Sequence, residues 1–307
     1  MAFKVGKMLV HAVIVGLLLV LAAAGYVLWK VDLHPILQAK PWQAAVMIAA
    51  VLVNLLAGGA LFWIVTRSFD ANPKCGFWRM TCLVSASALL NYLPLRPGIA
   101  GRAAFMKVHH NLPIGQSMIV LAIVMIAGVM IVGGAGTVGL LLRDHSELAM
   151  GFIIAGLLVI SMVGSEMLAS FTLRRPMIAA WSWPVLRMLD LCAATVRMWT
   201  AFQILGHPVP VWVAVVTAAG GMLMVMVGLL PNGLGMKEWM VAGLMTFTGQ
   251  GSAAAIAAAA ALIDRAFEAV VVLPVGLICM RWLAKLEPGT PGIPEIPGVE
   301  KIGRAHV

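Results

Sequence analysis

The 307 residues are 62% hydrophobic and only 11% charged, with a mean hydropathy of +1.00, against about 25% charged in soluble globular domains. This composition argues against a water-soluble enzyme or binding module and predicts a polytopic membrane protein. The formal charge of +9 does not imply nucleic acid, because Lys and Arg fall singly or in pairs between apolar runs rather than in aromatic-interleaved patches.

In chain order, residues 1–24 carry Lys4 and Lys7, an apolar run and Ala22-Ala23-Ala24, the pattern of a cleavable leader. The run 8–29 is long enough to span a bilayer and is read as a retained helix. Apolar segments follow at 43–66, 77–94, 114–142, 148–173, 188–206, 209–230, 237–249 and 253–283.

With the N-terminus inside, strict alternation puts Arg96, Arg102, Lys107, Arg174 and Arg175 outside, against the positive-inside tendency. A re-entrant hairpin over 77–108, turning near Pro94 to Pro97, resolves the count. Lys4, Lys7, Arg67, Lys74, Arg79, Arg96, Arg102, Lys107, Arg174, Arg175, Arg187, Lys237, Arg281 and Lys285 then lie inside, against Lys30, Lys40 and Arg143 outside. The expected fold class is all-α: a transmembrane helical bundle of about eight spans plus the hairpin, over 1–286, with both termini cytoplasmic. Residues 287–307 read as a disordered Pro/Gly-rich tail, whose last six, IGRAHV, resemble translated adapter sequence.

Two segments interrupt the apolar pattern. In LLPNGLGMKEW (229–239), Pro231 lacks an amide hydrogen and Gly233 and Gly235 allow unusual backbone angles, so a helix should stop there and restart at Lys237 and Glu238. The restart would expose amides that favour an anion, and such backbone is tolerated at membrane depth only inside protein or around a wet cavity. LPLRPGIAGRAAF (93–105) follows the same logic: Pro97 lies four residues before Gly101, with Gly98 between them and Arg102 after, as Pro231 lies four before Gly235, with Lys237 after. Paired interruptions are the usual pointer to a transporter built from repeats, so an internal repeat is a candidate; convergent helix breaks are the alternative.

The remaining candidate residues are charges inside apolar runs. Arg265 stands mid-segment beside Asp264, with Glu268 three residues on, an arrangement that permits an i, i+3 ion pair within the helix. Asp190 and Arg197 lie two helical turns apart and each needs a partner across the bundle. Asn54 and Glu166 read as interhelical glue. The methionines fit either an acyl-chain groove or core filler. Cys75, Cys82, Cys192 and Cys279 show no CxxC spacing and read as small packing residues. His109-His110 diverge by about 100° on a helix, which makes surface histidines of them rather than a metal pair. Without an HExxH, Walker, GxSxG or Rossmann signature, no metal, cofactor or catalytic residue is expected.

LLPNGLGMKEW followed by ALIDRAFEAVVVLPVGL resembles the lysylphosphatidylglycerol synthase transmembrane family, also described as flippase-like. Pro231, Gly233, Gly235, Lys237 and Glu238 match its PGGLG-basic-E element, with Lys for the usual Arg and Asn232 for a Gly, and Arg265 matches the arginine of the following helix. Pro97, Gly98, Gly101 and Arg102 resemble its upstream break, although Arg102 stands where an acidic residue is common, and 117–132 lacks the charges relatives carry there. The resemblance implies a flippase-like translocator of a phospholipid or polyprenyl-phosphate-linked lipid in a bacterial inner membrane. Arg102, Lys237, Glu238, Arg197, Asp264, Arg265 and Glu268 would handle an anionic headgroup. No aminoacyltransferase domain is present, so lysine transfer is not implied; a separate lipid-modifying enzyme is a candidate partner. The alternative is a membrane-embedded transferase, or its accessory, acting on lipid-linked sugars.

Overall fold

The computed structural model describes residues 18, 21–31, 34–69, 76–93, 96–110, 112–141, 156, 178–227, 231–248 and 253–286. Most of 8–29, nearly all of 148–173 with Glu166, and the 287–307 tail lie outside these residues. Among the described residues the secondary structure is helical, without a strand.

Helix α1 covers residues 21–30 and the single turn α2 covers His34–Leu37. Pro41 then opens α3 (Pro41–Phe69), where a missing amide costs nothing. The Gln43 side chain accepts from the Lys40 amide at 2.8 Å, half of a capping box. Next come α4 (Phe77–Leu90), α5 (Pro97–His110) and α6 (Ile114–Leu141). After the undescribed stretch follow α7 (Ile178–Ile204), α8 (Val211–Val227), a 3-10 turn at Pro231–Gly233, α9 (Met236–Phe247) and α10 (Ala254–Leu283).

By length and composition, α3 and α6 can cross a membrane, with mean hydropathies of 2.3 and 2.7 over their apolar spans. Helices α7 and α10 are as long, 27 and 30 residues, but carry buried charge. Helix α7 begins ten residues before the segment predicted at 188–206 and so takes in Pro184 and Arg187. At 12 residues, α9 is about 18 Å long, well short of a hydrocarbon core of about 30 Å. Segment 237–249 is therefore too short to be a simple crossing.

Two antiparallel hairpins organise the middle of the molecule. In the first, α4 and α5, 14 residues each, pack closely at the tip: a Cβ on Gly98 would strike the Ser87 carbonyl. Met80 of α4 and Met106 of α5 belong to one apolar cluster. In the second, α8 returns through the 3-10 turn into α9; Gly233 lies against Val225, Gly221 against Lys237, and Gly220 against Met240 and Leu244.

Five apolar clusters among the described residues hold these parts, three of them bearing most on the hairpins. The largest joins α1, α3, α7, α8, α9 and α10 around the buried run Ala257–Ala261, whose methyls let α10 approach closely on several sides. A second joins α3, α6 and α7 around Trp183, and a third joins α4, α5 and the end of α10. Cys279 belongs to the third, with Cys82 packed against it, and both are free thiols. The His109-His110 pair is half-buried rather than on the surface: the His109 ring stacks on Phe105 at 4.3 Å between centroids.

Candidate functional site

The helix break expected at 231–235 is present. Asn232, Gly233 and Gly235 take φ values of 44°, 64° and 76°, left-handed angles that glycine adopts freely and asparagine tolerates. The turn meets Arg265 with carbonyls: the guanidinium donates to the oxygens of Asn232 at 3.3 Å and Gly233 at 3.1 Å. Its Nε lies 2.5 Å from Glu238 Oε1. Glu238 is 0% exposed and sits in the first turn of α9, where the helix dipole favours a negative charge. Arg265 thus ties the break to α10. The i, i+3 pair with Glu268 is not formed, because Glu238 and the two carbonyls offer the planar guanidinium a better set of acceptors.

Lys237 turns the other way. Its Nζ lies 2.5 Å from Asp264 Oδ2 and 4.0 Å from Glu268 Oε2. Adjacent Lys237 and Glu238 therefore face adjacent Asp264 and Arg265, both pairs 27 residues apart in sequence. Gly221 leaves the slot for the lysine stem; a Cβ there would meet its Cε and Cγ at 3.2 and 3.3 Å.

Asp264 is shared. Arg197 Nε reaches its Oδ1 at 2.7 Å, and Arg197 Nη1 donates to Asn54 Oδ1 at 3.0 Å. The Asn54 amide nitrogen donates in turn to Asp190, at 2.8 Å to the carbonyl and 2.5 Å to the carboxylate. Arg187 closes the chain, 2.9 Å from Asp190 Oδ2 and 3.1 Å from the Val124 carbonyl. One polar network thus runs from α6 through α7 and α3 to α10 and α9. It corrects the charge count: Lys237 and Arg187, assigned there to the cytoplasmic side, are 6% and 9% exposed.

The first motif is built differently from the second. Arg96, not a glycine, takes the left-handed angle, with φ of 50°. Gly98 and Gly101 lie inside α5, so the helix-break role expected of them is corrected: the break falls before Pro97, and Gly98 serves close packing on α4. Arg96 Nη2 donates to the Val225 carbonyl at 2.6 Å, which joins the tips of the two hairpins. The Arg102 guanidinium lies 3.7 Å from the centre of the Phe62 ring and pairs with no carboxylate among the described residues.

Both hairpins, with α3, α6, α7 and α10, line a partly open cavity of about 310 Å³. Of the predicted site residues, Arg102, Arg197, Lys237, Asp264 and Glu268 line it; Glu238 and Arg265 stand behind Lys237 and Asp264 as a support. Arg96, Arg187, Asp190, Asn54 and Asn91 also line it and were not among the predicted site residues. For Asn54 the signal was a lone amide within an apolar helix; for Arg187 it was masked by an apparent place between spans. Met125, Met198, Met222 and Met226 supply part of the apolar wall. Among the described residues no three His, Cys, Asp or Glu side chains gather as a metal-binding set.

No family model, curated protein or solved structure matches this chain.

Proposed function

We propose that this chain is an integral membrane protein that moves an anionic lipid headgroup, of a phospholipid or a polyprenyl-phosphate-linked lipid, across a bacterial inner membrane. The observation that carries this reading is the partly open cavity, in which basic side chains from several elements meet an apolar, methionine-rich wall. A headgroup phosphate suits the cations and the first carbons of its chains suit the wall. The resemblance of 229–239 and 261–277 to the lysylphosphatidylglycerol synthase transmembrane family supports the same substrate class.

Membrane residence is supported by the outer faces of α6 and α10. Ile126, Met130, Val270 and Ile278 are 55, 65, 62 and 68% exposed, an apolar surface suited to lipid rather than water. Six crossings fit the lengths of α3, α6, α7 and α10 taken with the two apolar segments read from the sequence, 8–29 and 148–173. Both hairpins are re-entrant in this arrangement. The α4–α5 hairpin enters from the cytoplasm and α8–α9 from the opposite side, and their tips meet near the midplane. Because the two crossings expected over 209–249 become one hairpin, both termini stay cytoplasmic. Lys237 becomes a midplane charge.

The test is reconstitution. In proteoliposomes holding fluorescent headgroup-labelled lipid, the protein should shorten the time for inner-leaflet label to reach an impermeant quencher, relative to protein-free vesicles. Equal rates with and without protein would refute the proposal.

A further inference from the structure

Lys237 is held by two carboxylates of unequal standing. Asp264 lies 2.5 Å from its Nζ and also 2.7 Å from Arg197, whereas Glu268 stands at 4.0 Å, the outer limit of an ion pair. The Asp264 side chain is 2% exposed and the Glu268 side chain 25%, and both line the cavity. Resting on the translocator reading above, we propose that Glu268 is a proton-binding site coupled to the headgroup. It takes up a proton from solvent when an anionic phosphate engages Lys237 and returns it when the phosphate leaves, so that lipid and proton move together.

An anion that approaches Lys237 also approaches Glu268, and the two negative charges repel. Either the phosphate stays out or one carboxylate gives up its charge. Asp264 is the poorer candidate, because two cations touch it. Glu268 touches one, at long range, and has Asp264 one helical turn away as a like charge. A proton and a monoanion taken up together leave the net charge of the cavity unchanged. The protein then carries no additional uncompensated charge through its interior.

A separate observation provides for the neutral form. The Tyr92 hydroxyl, just past the end of α4, is buried, makes no hydrogen bond and lies beside Glu268. An ionised carboxylate only accepts, whereas a protonated one also donates, and a phenol oxygen can accept that bond. The other charged groups near Glu268 are Arg197 of α7 and, on its own helix, Asp264 and Arg265, the last committed to Glu238. Arg102 of α5 lines the same cavity and rests on Phe62. From α3, α4 and α8, which also pack on α10, no charged side chain lines the cavity among the described residues.

The experiment measures binding of dioctanoyl phosphatidylglycerol, whose phosphodiester keeps its charge across the range, to the purified full chain in detergent. Calorimetry in buffers of different protonation enthalpy counts the protons. Raising the pH makes uptake harder, so affinity should fall at least about tenfold between about pH 5 and pH 8, with up to one proton bound per lipid. Glu268→Gln, uncharged at every pH, should bind equally well at both ends of the range and take up no proton. Tyr92→Phe, which removes the acceptor, should move the fall in affinity to lower pH. A wild-type affinity independent of pH, a pH response that Glu268→Gln retains, or no binding at any pH would overturn the inference. Soluble glycerophosphoglycerol bound as tightly as the lipid would overturn its lipid-linked form. Translocation in vesicles alongside any of these results leaves the translocator reading standing. Proton-coupled binding without translocation overturns that reading alone.

Discussion

Arg265 shows what a buried charge requires. It is 9% exposed, and its partners are a fully buried carboxylate and two carbonyls of a broken helix. Arg265→Ala strands Glu238, and the expected loss of stability is about 3–5 kcal/mol. Glu238→Ala should cost a similar amount by stranding the arginine. The double variant should cost clearly less than the sum, because neither charge is then orphaned. Denaturant unfolding in detergent checks all three, and simple additivity would show that the pair is not coupled. At this scale the charges were legible in the sequence and some of their partners were not. Spacing along a helix reveals only neighbours three or four residues away, so Glu268 looked like the partner of Arg265. The actual partner lies 27 residues back, brought near by the packing of α9 on α10. A complementary signal was present: Lys-Glu at 237–238 faces Asp-Arg at 264–265, opposite in sign at each place.

At the scale of elements, close helix approach positions the hairpins. A Cβ on Gly276 of α10 would lie 2.6 Å from the Leu89 Cβ and 3.2 Å from the Ser85 carbonyl, both on α4. Gly276→Val should force α10 away from the first hairpin and cost about 1–3 kcal/mol. A Cβ on Gly133, in α6, would meet nothing within 4 Å, and Gly133→Ala should be neutral or stabilise by about 0.5–1 kcal/mol through helix propensity. Thermal unfolding of the two variants side by side checks this, and a Gly276→Val protein as stable as the wild type would contradict it. The break at 231–235 was legible because glycines and a proline coincide there. In the first motif the glycines were given the wrong role, since Arg96 takes the left-handed angle that sequence reasoning reserves for glycine, while Gly98 serves helix packing.

For the whole molecule, composition already pointed to an all-helical bundle, and the described residues are helical throughout their regular structure. The number of crossings was harder to read. Counting loop charges treats each Lys or Arg as solvated, and Arg187 and Lys237 are instead paired with Asp190 and Asp264 inside the bundle. Hydropathy alone also does not separate a short apolar helix such as α9 from a full crossing. The two topologies differ at Leu234. In a background with the native cysteines replaced, Leu234→Cys should resist bulky impermeant maleimides from either side if α8–α9 is a hairpin. Ready cytoplasmic labelling would restore the eight-crossing arrangement.

The most direct test of charge-assisted lipid movement is the translocation rate of Lys237→Gln against the wild type in matched proteoliposomes. Arg197 still pairs with Asp264 in this variant, so the fold should survive, and a melting temperature near that of the wild type confirms it. The predicted result is a loss of at least about tenfold in rate, equivalent to about 1.4 kcal/mol of barrier. A folded Lys237→Gln protein that moves headgroups as fast as the wild type would contradict it.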